Sequence, residues 1–265
     1  MTIILKIPFD LGLMDSSKRG TADAPDIVQE EANDIFLSET GVEWSKKLSW
    51  TSVELNKGDF DETSAKIEAA ARAALKSDKL IAVGGDHSVS YGVMKAAKDK
   101  CKKLIYFDAH LDCQDDFLPP SHEDILRAAI SEKIFLPENI LVIGVRNFTK
   151  EEKKFVEDKK IKVIYANEAF EKGISWLVDE IRSFCKGEKT YISIDIDVVD
   201  PAFAPGTGWR EPGGLSSREL IFVLQNIAKV SAIQAADIVE ISPKFDQNRI
   251  TARLGAKIIS EIATQ

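Results

Sequence analysis

The run Leu104-Ile105-Tyr106-Phe107-Asp108-Ala109-His110-Leu111-Asp112 passes from four apolar side chains into three of the kind that bind metals. A short continuous apolar run is the pattern of a strand covered on both faces. If the extended backbone continues, Asp108, His110 and Asp112 stand at i, i+2 and i+4 and point the same way. Packing does not require that much charge at the mouth of a buried strand, so the segment reads as chemistry placed at a strand end.

The same pattern recurs along the chain. Strand patterns fall at Ile3–Ile7, Ser52–Leu55, Leu80–Val83, Leu104–Phe107, Ile140–Val145, Lys162–Tyr165, Thr190–Ile196 and Ala236–Ile241. Stretches such as Glu62–Lys76 and Arg218–Lys229 space their apolar residues by three and four, as amphipathic helices do. Strands alternating with helices predict a three-layer α/β/α fold around a mostly parallel, doubly wound sheet of roughly eight strands. No linker, repeat or low-complexity segment divides residues 1–265, which are expected to form one domain. In such sheets functional residues gather beyond the carboxyl ends of the strands. Four strand patterns deliver charge there, into Gly84-Gly85-Asp86-His87-Ser88, Asp108–Asp112, Asp195-Ile196-Asp197 and Glu240-Ile241-Ser242-Pro243.

Composition narrows the function classes. A net charge of −8, with no basic arm, argues against a nucleic-acid partner. No apolar run reaches membrane-spanning length. The start, Met1–Pro8, lacks the charged region and cleavage site of a signal peptide and reads as a first strand. Cys101, Cys113 and Cys185 are odd in number and scattered, which fits reduced thiols in a cytoplasmic protein.

Histidine usage carries the site. The chain has three, His87, His110 and His122, and all lie in or near these strand-end segments. Together with Asp108, Asp112, Asp195 and Asp197 the first two make four carboxylates and two imidazoles, a charge set that balances two divalent ions. Oxygen-rich ligation favours Mn²⁺, while the two imidazoles leave Zn²⁺, Co²⁺, Fe²⁺ and Ni²⁺ open. Two such ions sharing a water lower its pKa and make a hydrolase.

The motifs Gly84–Ser88, Asp108–Asp112 and Ser193–Gly208 (Ser-Ile-Asp-Ile-Asp-Val-Val-Asp-Pro-Ala-Phe-Ala-Pro-Gly-Thr-Gly) resemble the three signatures of the ureohydrolase family, which includes arginase, agmatinase and formimidoylglutamase. The resemblance extends to Arg19–Pro25, Glu211–Ser216, Asp237–Pro243 and Thr251–Leu254, and Asp200–Gly208 with Glu211–Leu215 are most similar to agmatinases. It implies an arginase-like fold and two Mn²⁺ per chain. One ion would take His87, Asp108, Asp112 and Asp195; the other would take Asp108, His110, Asp195 and Asp197, with Asp108 and Asp195 bridging. It implies a small guanidino or formimino compound as substrate, Glu240 on the guanidinium, Asp112 orienting the attacking hydroxide, His122 carrying a proton to the departing amine, and a homo-oligomer, a trimer or hexamer.

Several of these side chains also have a plain alternative. Glu240 could cap the Ser242-Pro243 turn. Ser121-His122-Glu123-Asp124 looks like a helix start with Ser121 as N-cap, which would leave His122 in a first turn at the surface. The family usually has glycine or alanine after that histidine and Gly-Thr-Gly-Thr-Pro in the third motif; here Glu123 and Gly206-Thr207-Gly208-Trp209-Arg210 stand instead. Trp209 is expected in the substrate pocket, its flat face able to stack on a cation. Arg210 either meets a substrate carboxylate, which would favour formamide-releasing hydrolysis like that of formimidoylglutamase, or faces water. A catalytically silent metal-binding homologue, and a mononuclear zinc deacetylase on a related sheet, are the remaining readings.

Overall fold

The computed structural model of the chain describes residues 2–55, 59–77, 79–114 and 117–264. Eight strands form one sheet: β1 (Thr2–Lys6), β2 (Leu48–Ser52), β3 (Leu80–Val83), β4 (Lys103–Phe107), β5 (Ile140–Val145), β6 (Lys162–Tyr165), β7 (Lys189–Asp195) and β8 (Ala232–Val239). Their order is β2-β1-β3-β8-β7-β4-β5-β6, and every pairing is parallel. The fold is the three-layer α/β/α arrangement expected. Successive strand residues feed opposite layers, because the pleat alternates faces. Ile105 and Phe107 pack with α1 (Ala24–Ala32), α7 (Ile174–Cys185), α8 (Ser217–Ile227) and α9 (Ile250–Ala263). Leu104 and Tyr106 pack with α2 (Phe60–Ser77), α3 (Val89–Ala97) and α4 (Ile125–Ser131). Among the described residues no helix is long and apolar enough to cross a membrane.

Three boundaries depart from expectation. The second strand is Leu48–Ser52 and not Ser52–Leu55. It is the sheet edge, half-exposed along its length, so it carries no continuous apolar run to betray it. The last strand begins four residues early, at Ala232, and stops at Val239, leaving Glu240 outside the sheet in a left-handed conformation (φ 61°). The helix expected from Ser121 begins only at Ile125. Asp124 accepts hydrogen bonds from the backbone N–H of Ser121 (2.8 Å) and of Phe117 (3.0 Å), and this holds residues 121–124 as a loop.

The sheet order positions the site. β3, β8, β7 and β4 are neighbours in the sheet although scattered in sequence, and they are the four strands whose carboxyl ends carry His87, Glu240, Asp195 and Asp108. The first turn after β3 is held by a close backbone approach. A Cβ on Gly85 would lie 1.6 Å from the Phe9 carbonyl oxygen, while the Asp86 N–H donates to that same oxygen at 3.0 Å. Only glycine fits there. Gly85→Ala is therefore expected to lower unfolding stability by about 3 kcal/mol and to reduce metal uptake with it. An unchanged denaturation midpoint would show that this contact does not constrain the turn.

Candidate metal centre and cleft

His87 is buried, and its imidazole is held from behind. Its Nε2 lies 3.1 Å from Ser193 Oγ, which donates to Asp237 Oδ1 at 2.8 Å. Tyr191 donates to the other oxygen of Asp237. With Ser193 acting as donor to Asp237, Nε2 carries a proton and Nδ1 is turned forward, where its lone pair would be the donor to a bound ion. Nδ1 faces three carboxylate oxygens: Asp112 Oδ2 at 3.0 Å, Asp108 Oδ2 at 3.2 Å and Asp195 Oδ2 at 3.3 Å. Tyr106 lies flat against the ring (4.9 Å between centroids, 9°) and donates its hydroxyl to Asp112 Oδ2 at 2.7 Å. Asp86 holds the turn before the histidine by accepting the Gly12 N–H (2.8 Å) and the Ser88 N–H (2.9 Å).

A second group lies on the other side of Asp108. Its Oδ1 is 3.3 Å from His110 Nδ1, which is 3.0 Å from Asp197 Oδ2. Asp108 thus turns one oxygen to each histidine. Its Oδ2 is buried and accepts no hydrogen bond. The two sets His87–Asp108–Asp112 and Asp108–His110–Asp197 each bring their ligand atoms within 4.8 Å of one another. Asp195 sits between them, with Oδ2 towards His87 and Oδ1 accepting the Asp197 N–H at 2.8 Å.

The convergence is real, but its cause is not an extended strand. β4 stops at Phe107, and Asp112 takes a left-handed φ of 45°. That turn swings Asp112 towards His87 while His110 points to Asp197. Asp197 likewise lies in a short helical turn after β7. The long third motif is pinned by Arg146, whose guanidinium donates to the carbonyls of Asp197 (2.6 Å) and Glu211 (2.7 Å).

The donor set fits a pair of divalent ions. Of the four carboxylates buried together, the two histidines hold Asp112 and Asp197 below the ordinary range, while Asp108 and Asp195 resist ionisation. Burial, with Asp112 and Asp197 adding repulsion, pushes Asp108 up to about 6. Burial, with Asp197 and Asp108, raises Asp195 well above the usual carboxylate range. Six-coordinate ions with bonds of about 2.1 Å set neighbouring donors about 3 Å apart, which is the spacing found between the imidazole nitrogens and the carboxylate oxygens.

A cleft of about 230 Å³ opens over this centre, lined by His110, Asp112, Asp195 and Asp197 at its floor and by His122 and Trp209 above. His122 is 6% exposed, not a surface residue, and its Nε2 has no hydrogen-bond partner. Its backbone N–H donates to the Gly12 carbonyl (3.2 Å), which draws the loop over the floor. Burial pushes the imidazole down to about 4. Glu240 is 2% exposed; Oε1 accepts the His87 N–H at 2.8 Å and stands 4.0 Å from His122 Nδ1, while Oε2 accepts nothing. It does not cap the following turn, since the Ser242 N–H donates to Gly206. Burial and the nearby Asp86 hold its carboxyl well above the ordinary range.

Trp209 stands between two histidines, edge-on to His110 (6.4 Å) and stacked on His122 (6.3 Å, 20°). Arg210 does not join it. Its guanidinium is exposed over the Phe245 ring at 5.4 Å and lines no part of the cleft. Sequence reasoning overlooked Asn147, Phe148 and Thr149 on the cleft wall. They follow β5 directly, so the rule that pointed to the other strand ends applied to them as well. It also overlooked the Ser193–Asp237 support, whose members sit opposite each other in the β7–β8 register.

Comparison with known proteins identifies the family. The Arginase family model matches residues 1–264. Guanidinopropionase of Pseudomonas aeruginosa is 34% identical over 188 residues, which are 69% of this chain and only 59% of that protein. An agmatinase of Photorhabdus laumondii subsp. laumondii is 28% identical over 270 residues, covering 98% of this chain and 85% of its own. The structure of proclavaminate amidinohydrolase from Streptomyces clavuligerus superposes with a TM-score of 0.91 at 28% identity, over 99% of this chain and 90% of that one. Relatives with different printed activities thus stand at similar distances, and no single subtype stands out. On fold, ligand set and full-length family match together, the chain belongs to the arginase family of metal-dependent hydrolases.

Proposed function

We propose that the chain is a binuclear, Mn²⁺-dependent amidinohydrolase that cleaves a C–N bond of a guanidino compound, releasing urea and an amine. The observation that carries this reading is Asp108, a buried carboxylate with one oxygen towards each histidine. Two divalent ions held by His87, Asp108, His110, Asp112, Asp195 and Asp197 supply the acidity that makes water nucleophilic at neutral pH.

The chain's own groups do the rest. Glu240 offers the free Oε2 to a guanidinium, whose paired N–H donors suit a carboxylate. Asp112, anchored by Tyr106, orients the attacking water. His122 is neutral at pH 7 because of its burial, and its Nε2 is open. It can accept the proton released as water adds to the guanidino carbon and pass it to the amine nitrogen as that C–N bond breaks. Arg210 on a substrate carboxylate would favour the formamide-releasing alternative, and its position over Phe245 removes that support.

Metal content is the first check. The protein is expected to bind two Mn²⁺ and to melt at a higher temperature with them, and Asp108→Asn is expected to lose at least one ion and most of that increment. A single ion per chain in the unaltered protein would refute the binuclear centre. Activity is the second. Urea release from a panel of guanidino compounds with Mn²⁺ should fall about 10²- to 10⁴-fold in kcat for His122→Ala with little change in KM, whereas Glu240→Gln should lower kcat/KM by roughly tenfold or more. If the metal-loaded protein releases urea no faster than Asp112→Ala, it is a silent homologue and the proposed reaction is wrong.

A further inference from the structure

Beyond Glu240 and His122, the cleft wall is formed by Gln114, Glu123, Asn147, Phe148, Thr149 and Glu152. Among the described residues no lysine or arginine lines it. Two cations that contact Trp209 and the loop after Asp112 have other partners. Lys18 donates to the Gly208 carbonyl (2.9 Å) and lies over the Trp209 ring, and Arg127 donates to the Cys113 carbonyl (2.7 Å). Of the two wall carboxylates, Glu152 is committed: its oxygens accept the N–H groups of Thr149 (2.9 Å) and Cys113 (3.4 Å).

Glu123 is placed differently. Its carbonyl accepts the Gln114 N–H at 3.1 Å and its own N–H donates to Ser121 Oγ at 3.2 Å, so its backbone is fixed beside the metal-binding loop. Its carboxylate lies 3.6 Å from His122 Nε2, the buried nitrogen without a hydrogen-bond partner, while Glu240 lies 4.0 Å from Nδ1 of the same ring. The two carboxylates therefore bracket one imidazole. A guanidinium seated on Glu240 would send its alkyl tail along the faces of His122 and Trp209 towards Glu123.

We propose that Glu123 is the specificity-determining residue for the far end of the substrate, so that the cleft takes a guanidino compound ending in an ammonium and disfavours guanidino acids of the same length. This rests on the amidinohydrolase reading above. With the metal ligands neutralised by two divalent ions and Glu240 by the guanidinium, Glu123 and Glu152 leave negative charge on the wall, Glu152 turned to backbone N–H groups and Glu123 to the ring of His122, and like charge brought against Glu123 in a partly desolvated cleft is unfavourable. Burial, with Asp112 and Asp124 nearby, raises the Glu123 carboxyl, as expected of an acid short of a cation.

Three ligands of nearly equal length test this: agmatine, 4-guanidinobutanoate and butylguanidine, which end in ammonium, carboxylate and methyl. Their binding to the Mn²⁺-loaded protein is measured by calorimetry at short times, and urea release is measured separately. Agmatine should bind about tenfold tighter than butylguanidine, a difference of about 1.4 kcal/mol, and 4-guanidinobutanoate should bind weakest. Glu123→Gln should erase most of that order, and Glu123→Lys should reverse it. An order in which the carboxylate is preferred, or one that survives Glu123→Gln unchanged, overturns the proposal. A loss of kcat on all three ligands alike, with the binding order intact, would make Glu123 a positioning residue for His122 and also overturn it. The two readings fail separately: ordered binding without urea refutes the reaction and leaves the tail preference, while urea released best from 4-guanidinobutanoate does the reverse.

Discussion

Four carboxylates share one buried volume with two imidazoles at the carboxyl end of the sheet, and their mutual repulsion is what the rest of the structure must contain. A buried ion costs several kcal/mol without compensation, and here Asp108, Asp112, Asp195 and Asp197 are all buried within one cluster. Backbone N–H groups and hydroxyls supply part of the compensation. Asp197 accepts the Ala109 N–H, Asp195 the Asp197 N–H, Asp108 the His110 N–H, and Asp112 the Tyr106 hydroxyl. These bonds fix where each oxygen points but bring little charge. The remainder has to come from cations, and so much of the surrounding chain is therefore spent on aiming oxygens at two common points.

The aiming is done by strand order more than by strand ends alone. β3, β8, β7 and β4 meet side by side, so residues distant in sequence arrive at one edge. The register then supplies support from below. Ser193 and Asp237 are paired across β7 and β8, and together they hold the back of His87. Two left-handed residues, Asp112 five residues beyond β4 and Glu240 directly after β8, turn the chain and bring their carboxylates back over the sheet. A non-glycine residue at positive φ is uncommon, and such strain gathers where a side chain has to be held against the preference of its backbone.

Most of the fold was legible because buried parallel strands write themselves as apolar runs, and the candidate metal-binding cluster was legible because packing alone does not put charge at the end of such a run. What stayed hidden depended on contacts between distant segments. β2 is an edge strand whose half-exposed Leu48–Ser52 has no apolar continuity. Ser121–Asp124 carries a local capping signal, yet Asp124 closes the loop on Ser121 and Phe117, and the Gly12 carbonyl takes the His122 N–H, so tertiary bonds overrule the local propensity. Tyr106 reads as one more apolar strand residue, and nothing in its neighbours announces that its hydroxyl anchors Asp112. Arg210, adjacent to a cleft residue, could be read either at the substrate or facing water, and the exposed position over Phe245 matches the second.

The division between floor and wall bears on how one fold serves different substrates. The floor is built from sheet ends and from short turns that each carry several hydrogen bonds, so a change there disturbs every oxygen at once. The wall comes from the loops after β4, β5 and β7, whose backbones are held by Asp124, Thr149 and Arg146. A side chain on such a loop can change size or sign while the floor keeps its geometry, which is the condition for altering what binds without altering what reacts. Trp209 and Glu123 occupy wall positions of this kind, one supplying a flat face and the other a charge. The chemistry of the floor is therefore separable from recognition at the wall, beside which Lys18 and Arg127 are engaged with carbonyls.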